Sequence, residues 1–380
     1  MLHFCQVLEK WIQDIEIDIL IYGINGVKVD DAYPRIEDLG KKFGILLSKT
    51  RIKLIILNDD GYVFNKMKIY LCLKHVSKRY DIFVNWNFLS KQYGYAKKNI
   101  YFCMFPPNKY VYGRSFFKNI VKRKIDNNFI KKYDSFLCIS DFTRKWLSEY
   151  WPEISRKRIY KIEPPVMVEE NYYNEDNKKN IILNVGRFFI AGHNKKQFEM
   201  LQEFLKYEKQ LCGYELHFVG SVSSRYEDKE YLGKITDLAE KSSNIFIHVN
   251  MNDTGLKKLY SAAKIYWHAT GMGTQETETP LKQEHFGITT VEAMNYGAVP
   301  VAINQGGQPG IIHHGTDGFL WNDIRECIDY TKYLMENEEK RKNMAKAAAK
   351  SARRFSLEQF EKKLIHYLNE IFDAKENMER

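Results

Sequence analysis

Hydrophobic runs alternate with amphipathic segments along most of the chain, and this pattern predicts strands that alternate with helices. Helical periodicity predicts helices over 2–13, 198–211 and 256–263. Apolar runs predict strands at 17–22, 52–57, 81–84, 100–104, 135–139, 181–185, 216–219, 245–249, 265–268 and 299–303. Strands that alternate with helices are typical of a parallel α/β architecture.

A polar, proline-containing connector interrupts the pattern once. Pro164 and Pro165 precede the polar stretch 169–179, and the strand–helix alternation restarts after it. The sequence therefore predicts a first domain over 1–167, a second over 168–355, and a C-terminal helix over 356–380. Ser356-x-x-Gln359 fits a capping box for that helix, whose apolar stripe has two interpretations: it packs on the first domain, or on its own domain.

Composition places the chain in the globular class, with 44% hydrophobic and 14% aromatic residues. Its positive charge is uneven: Lys and Arg outnumber Asp and Glu by 30 to 17 in residues 1–165, but are outnumbered 31 to 28 afterwards. The first half therefore favours an anionic partner, either nucleic acid or a membrane face. Since no zinc-finger spacing or RNA-binding motif is present, a membrane is favoured over nucleic acid.

Two features of the chain bear on its location. No apolar run approaches the ~18 residues that span a bilayer, and no signal-peptide pattern begins the chain. The six cysteines are scattered without metal-ligand spacing, which is typical of reduced thiols. We expect a cytoplasmic protein, either freely soluble or peripheral on the inner face of a membrane. The basic, aromatic stretch 116–132 is then either a solvated face or an interfacial helix.

The stretch 284–310 carries the strongest candidate chemistry. Glu284 and Glu292 lie eight positions apart, on either side of the turn 286–288 and of a predicted helix start at Thr289 and Thr290. Free amides at a helix start attract phosphate, and a carboxylate one turn in can accept hydrogen bonds from a vicinal diol. Two plainer interpretations stand beside this one: Thr289-x-x-Glu292 is a capping box, and Glu284 is a solvated loop acid.

A second candidate stretch begins at the predicted strand 181–185. Gly186 ends that strand and Arg187 follows it, and Lys195 and Lys196 open the next predicted helix. Ligands of open α/β sheets bind at the carboxyl ends of the strands. Arginine and lysine at that edge suit phosphate groups.

Together these stretches resemble the retaining glycosyltransferases of family 4. EHFGITTVEAMNYGAVPVA is similar to the E-x7-E signature of that family, and NVGR with the later KK is similar to its VGR…(R/K)KG element. The resemblance implies a GT-B fold, in which two Rossmann-like, doubly wound domains face a cleft and the last helix crosses back to the first domain.

The resemblance also implies a role for each candidate residue. Glu284, Arg187 and Lys196 are the implied catalytic residues: Glu284 holds sugar hydroxyls, while Arg187 and Lys196 hold the diphosphate. Lys195 is the alternative lysine, because Gln197 is taken to stand where the family usually has glycine. The remaining implied donor contacts are Gly186, Phe286, Gly287, Ile288, Thr289 and Thr290 at the phosphates, and Glu292 at the ribose.

The implied reaction is transfer of a sugar, with retention, from a UDP- or GDP-linked donor to a glycan or lipid-linked acceptor in the synthesis of cell-surface polysaccharide or glycoconjugate. No D-x-D motif occurs in the chain, so the expected reaction uses neither a metal nor a cofactor. Paired carboxylates also occur in glycosidases, but the basic residues speak against hydrolysis. The remaining alternative is a catalytically silent protein that binds sugar nucleotides.

The N-terminal region departs from the family. Family members open with a strand and a glycine-rich loop, whereas this chain opens on a predicted helix. We therefore expect that the reading frame begins too late or that the chain is a fragment, unstable or inactive as it stands. The stretch 103–109 resembles a loop that carries a histidine in many relatives; it has none here, so no first-domain catalytic residue is assigned.

Overall fold

The structure, a computed structural model, describes residues 1–24, 35–57, 62–109, 113–168 and 172–376. The chain folds into two compact units. The first comprises Met1–Ile139, Thr143–Ile162 and Phe360–Arg380, and the second comprises Ser140–Phe142 and Glu163–Gln359. No helix in the described part of the chain is long and apolar enough to cross a membrane.

The first unit carries six parallel strands in two separate sheets. One sheet pairs β1 with β2, and the other has the order β3-β4-β5-β6. Its strands are β1 (Ile17–Ile24), β2 (Thr50–Leu57), β3 (Ile82–Asn85), β4 (Lys98–Cys103), β5 (Ser135–Cys138) and β6 (Arg158–Lys161). The helices along this part of the chain are α1 (Leu2–Trp11), α2 (Ile36–Phe43), α3 (Tyr62–Ser77), α4 (Phe116–Lys131) and α5 (Asp141–Tyr150).

The second unit is built on one parallel sheet with the order β12-β11-β10-β7-β8-β9. Its strands are β7 (Lys179–Val185), β8 (Glu215–Gly220), β9 (Ile245–Val249), β10 (Ala263–His268), β11 (Val299–Ile303) and β12 (Phe319–Trp321). Its helices are α6 (Gln197–Tyr207), α7 (Tyr226–Ala239), α8 (Asp253–Ala262), α9 (Ile288–Asn295), α10 (Ile324–Glu336) and α11 (Glu338–Ala352). The order reverses between β7 and β10, which makes their carboxyl ends a topological switch point.

Both faces of this sheet are covered by apolar core. Along β7, Ile182 belongs to one hydrophobic cluster while Ile181 and Leu183 belong to another. In β10, Trp267 belongs to the same cluster as Ile182, and Tyr266 belongs to the other one. Strands buried on both faces give continuous apolar runs in the sequence, which is why the alternation predicted them well.

The final helix, α12 (Leu357–Glu376), returns to the first unit. The Tyr367 hydroxyl lies 2.6 Å from the Ser135 hydroxyl of β5, and Glu361 forms a 3.0 Å ion pair with Lys10 of α1. Ser356 caps the helix by accepting a hydrogen bond from the Gln359 amide. Of the two interpretations of the apolar stripe, packing on the first domain is therefore the one observed.

Several predicted elements differ from the observed ones. The first helix ends at Trp11 rather than at residue 13, and two further helices, α10 and α11, precede the predicted C-terminal helix α12. The short strands β6 and β12 were not predicted. Each is an edge strand of its sheet, so neither has the long apolar run of a central strand.

Candidate functional site

The predicted site residues of the second unit gather at the carboxyl ends of its strands. Gly186 and Arg187 follow β7, and Lys195 lies in the loop that leads to α6. Glu284 lies between β10 and α9. The structure brings Lys195 and Glu284 into direct contact, together with His268 at the end of β10.

The Glu284 carboxylate is the electrostatic centre of this group. Its Oε2 atom forms an ion pair with the Lys195 Nζ and lies 3.4 Å from the His268 Nε2. Burial alone would raise the pKa of Glu284, but Lys195 and His268 outweigh it and hold that pKa well below its usual range. Burial lowers the pKa of His268, which favours the neutral form of its ring and leaves Lys195 as the cationic partner of Glu284. Glu284 is thus a part-buried carboxylate held in an ion pair and not a solvated loop acid.

Neighbouring lysines have different environments. Lys196 adopts the left-handed conformation (φ 61°, ψ 30°) at the N-cap of α6, and its Nζ pairs with Glu199 at 2.7 Å. Glycine is favoured in that conformation, so Lys196 stands at a position where glycine would be less strained.

The end of β7 is shaped by a close approach of Lys195. A Cβ atom at Gly186 would lie 2.6 Å from the Lys195 Cγ, so a larger residue would displace that side chain. The buried Gln197 amide donates to the carbonyls of Gly186 and Arg187 at 3.1 and 3.2 Å and fixes the turn. Arg187 is exposed and stacks 4.7 Å from the Phe189 ring. Within the described residues no carboxylate forms a salt bridge with Arg187.

Helix α9 begins at Ile288, one residue before the predicted start. Its N-cap is Gly287, with φ at 121°, a conformation that L side chains rarely adopt. Thr289 lies inside the helix, where its hydroxyl accepts a 2.7 Å hydrogen bond from Tyr266, and Glu292 accepts one of 2.8 Å from Tyr260. The capping-box interpretation is therefore wrong, because neither side chain caps the helix.

The other residues around this turn that were predicted to contact the donor differ in burial and in hydrogen bonding. Burial raises the pKa of Glu292 above its ordinary value, with the Tyr260 hydrogen bond opposing that effect. The Phe286 ring packs in the core, 5.4 Å from Phe355, so only its backbone is available to a ligand. The Thr290 hydroxyl donates to Gln308 at 2.9 Å, and the Ile288 side chain is exposed.

Sequence reasoning missed four polar residues at the end of β10 or in the loops after β10 and β11, one of which, His268, contacts Glu284. Each has a buried atom without a hydrogen bond among the described residues: His268 Nδ1, Thr270 Oγ1, Gln283 Oε1 and Gln305 Oε1. Gln283 and Gln305 both lie against Gly271. Buried polar atoms are nearly always paired in folded proteins, so this cluster is suited to polar groups of a ligand. Their shared position after β10 and β11 is the one sequence signal that would have found them.

Comparison with protein families finds a match in the second unit. Residues 169–351 match the family described as glycosyl transferases group 1. A Dictyostelium discoideum protein, GDP-Man:Man(3)GlcNAc(2)-PP-Dol alpha-1,2-mannosyltransferase, is 27% identical over 278 residues. That match covers 68% of this chain and 52% of the relative, so the chain spans about half the length of that protein.

Solved structures show the fold. Anabaena HepE in complex with UDP and glucose superposes with a TM-score of 0.64 at 13% identity, covering 97% of this chain and 95% of that one. Sucrose-phosphate synthase from Thermosynechococcus elongatus gives a TM-score of 0.68 at 15% identity, covering 98% and 92%. The chain has the GT-B fold, and residues 169–351 of its second unit match the glycosyl transferases group 1 family.

Proposed function

We propose that this protein is a glycosyltransferase that binds a nucleoside diphosphate sugar in its second unit, at the carboxyl ends of β7 and β10. The observation that carries the proposal is the part-buried Lys195–Glu284 ion pair at the topological switch point of the sheet. The GT-B fold and the group 1 domain support it. This edge offers cations for a diphosphate and a carboxylate for sugar hydroxyls.

The proposed diphosphate site uses Arg187, Lys195 and the first amides of α9. Arg187 offers a planar fork of donors at the strand end, and Lys195 offers a point charge. Helix-start amides add partial positive charge. Lys196 is the weaker candidate for the catalytic lysine, because its side chain pairs with Glu199 on its own helix.

The proposed sugar and ribose contacts are the two glutamates. When a diphosphate attracts Lys195, the Glu284 carboxylate becomes available to accept hydrogen bonds from sugar hydroxyls, while the neutral His268 remains beside it. Glu292 accepts one hydrogen bond from Tyr260 and has a second oxygen for a ribose hydroxyl. The buried side-chain oxygens of Thr270, Gln283 and Gln305, which lack a hydrogen-bond partner among the described residues, add further polar contacts to the proposed sugar site.

The proposed reaction is transfer with retention and without a metal. The bond between the anomeric carbon and the β-phosphate oxygen breaks, and its electron pair stays on the diphosphate. The acceptor hydroxyl oxygen bonds to the same face of the anomeric carbon, and its proton passes to a phosphate oxygen. Arg187, Lys195 and the α9 amides stabilise the negative charge that develops on the diphosphate.

For the donor we propose a GDP- or UDP-linked sugar, and for the acceptor a glycan or a lipid-linked glycan. Among the relatives, the Dictyostelium protein is named for GDP-mannose and a lipid-linked acceptor. HepE was crystallised with UDP. A lipid-linked acceptor lies in a membrane, so an enzyme that uses one needs a surface that faces lipid.

A binding screen followed by a turnover assay tests this function. We expect UDP or GDP to raise the melting temperature of the protein, because ligands of the native state stabilise it. The matching nucleotide sugar should then be consumed, both with and without EDTA. Arg187→Ala should abolish turnover, whereas Arg225→Ala, at an exposed arginine of the same unit, should not. Binding without turnover of any donor would favour the silent sugar-nucleotide-binding alternative, and the absence of all binding would contradict the proposal.

A further inference from the structure

Large apolar side chains are exposed together at one end of helix α4. Phe116 and Phe117 are 71% and 79% exposed, and Ile120 and Val121 are 49% and 58% exposed. Positions i, i+1, i+4 and i+5 share one face of a helix, so these four side chains form a single patch over its first two turns. The patch lies opposite the buried face of the same helix, which includes Phe129 and Ile130.

Basic residues border this patch. Lys118 and Lys124 are exposed beside it, and Arg114 precedes the helix. Between residues 113 and 132 the sole acid is Asp126, which is buried and pairs with Lys91 at 2.7 Å. The exposed surface of α4 is thus apolar over the first two turns of the helix. The residues around and beyond those turns are positively charged.

Helix α3 extends the same kind of surface. Met67 and Leu71 are each 55% exposed one turn apart, and residues 62–80 contain five Lys and Arg but no acid. The segment 93–95 links the two helices through its tyrosines. The Tyr95 hydroxyl lies 2.8 Å from the Tyr70 hydroxyl of α3, and the Tyr93 hydroxyl donates to the Ile125 carbonyl of α4. The apolar residues of both helices therefore belong to one region of the first unit.

We propose that this region of α3 and α4 binds the surface of an anionic phospholipid bilayer. Phe116, Phe117, Ile120 and Val121 would enter the boundary between headgroups and acyl chains, as the apolar faces of interfacial helices do. The lysines around them lie at the height of the lipid phosphates, and their long aliphatic stems let them remain beside apolar groups. Phosphate charge complements the excess of basic residues.

A plain solvated face does not account for these observations. Charged side chains alone would be stably solvated. Phe116 and Phe117, however, have more than two thirds of their surface exposed, and water offers these apolar side chains no favourable contact. Nucleic acid would satisfy the lysines but not a four-residue apolar patch. Apolar residues ringed by cations match a bilayer surface in both respects. The inference does not rest on the proposed sugar transfer and can be tested without any nucleotide.

Vesicle sedimentation with the full chain tests the proposal. We expect binding to vesicles of phosphatidylcholine and phosphatidylglycerol, weak binding to phosphatidylcholine alone, and loss of binding as salt screens the charges over a Debye length of about 8 Å or less. The double variant Phe116→Ser/Phe117→Ser should lower the partition coefficient about tenfold or more, because it removes the inserted apolar surface. Lys118→Glu/Lys124→Glu should lower it by a similar factor at low salt.

Tyr226→Ser is the matched control, since Tyr226 is an aromatic residue 76% exposed on a helix of the second unit. It should bind vesicles like the unmodified protein. All the substituted side chains are exposed, so circular dichroism should show unchanged melting. Equal binding to both kinds of vesicle, or unchanged binding of the phenylalanine variant, would overturn the proposal. So would a finding that this variant instead converts a dimer to a monomer, or that the chain prefers nucleic acid to anionic vesicles.

Discussion

The Lys195 ammonium group and the Glu284 carboxylate, 89 positions apart in the sequence, form a part-buried ion pair at the switch point of the second sheet. Their side chains are 17% and 16% exposed. Each charge is therefore kept out of bulk water and neutralised before any ligand arrives. An incoming diphosphate would take Lys195 as a partner and leave Glu284 free for hydroxyl groups.

The two lysines give a matched pair of variants. Lys195→Ala should weaken binding of UDP or GDP by about 1.5–3 kcal/mol, the usual range for a charge-assisted contact. Lys196→Ala should change it by less than about 0.5 kcal/mol, because that side chain pairs with Glu199. Isothermal titration calorimetry measures both. The opposite ranking would restore Lys196 as the phosphate lysine, as the sequence alone suggested.

The left-handed conformation of Lys196 predicts a stabilising substitution. Lys196→Gly should raise the free energy of unfolding by about 0.5–1 kcal/mol, because glycine relieves backbone strain that exceeds its own entropic cost. Gly192→Ala, four residues earlier at φ 64°, should lower it by a similar amount. Urea titrations of the two variants provide the measurement. Equal destabilisation by both would mean that the Lys196–Glu199 pair outweighs the strain.

Acid should destabilise the protein partly through His285. Burial lowers the pKa of His285 to about 3 in the folded chain, against 6.5 unfolded. Below pH 6.5 the unfolded state therefore binds a proton that the folded state refuses, and stability falls as the pH drops towards 3. His285→Gln should reduce this loss by about 1 kcal/mol per pH unit. Urea titrations at pH 7 and pH 5 measure the difference, and an unchanged slope would contradict the assignment.

Arg341 should be a major contributor to the stability of the second unit. Its fully buried guanidinium group pairs with Glu338 at 2.9 Å and with Glu175. Arg341→Met should cost about 2 kcal/mol, less than a fully buried pair because both glutamates are partly exposed. Arg225→Ala, which removes an exposed pair with Glu227, should cost under about 0.5 kcal/mol. Thermal melts compare them, and similar losses would argue against a special role for the buried arginine.

Some parts of the fold and the site could be predicted from the sequence, and others could not. Strands β7, β10 and β11 are buried on both faces, so their apolar runs identified them and the strand-end position of Arg187 followed. The different ion pairs of Lys195 and Lys196 depend on the backbone conformation and on distant glutamates, which the residue types do not reveal. His268 approaches Glu284 only through the packing of separate segments, so no local pattern marks it.

The first unit has its strands in two sheets, and this division predicts how the unit unfolds. Within the described residues β1 pairs with β2 alone, and β3 pairs with β4 alone, so no backbone ladder joins the two sheets. A side-chain hydrogen bond from the Lys53 Nζ of β2 to the Tyr80 hydroxyl, just before β3, links them instead at 3.1 Å. Amide protons of β1 and β2 should therefore exchange with solvent independently of those of β4 and β5. The β1–β2 sheet is in this sense a separate cooperative unit, which can open while the four-stranded sheet stays closed.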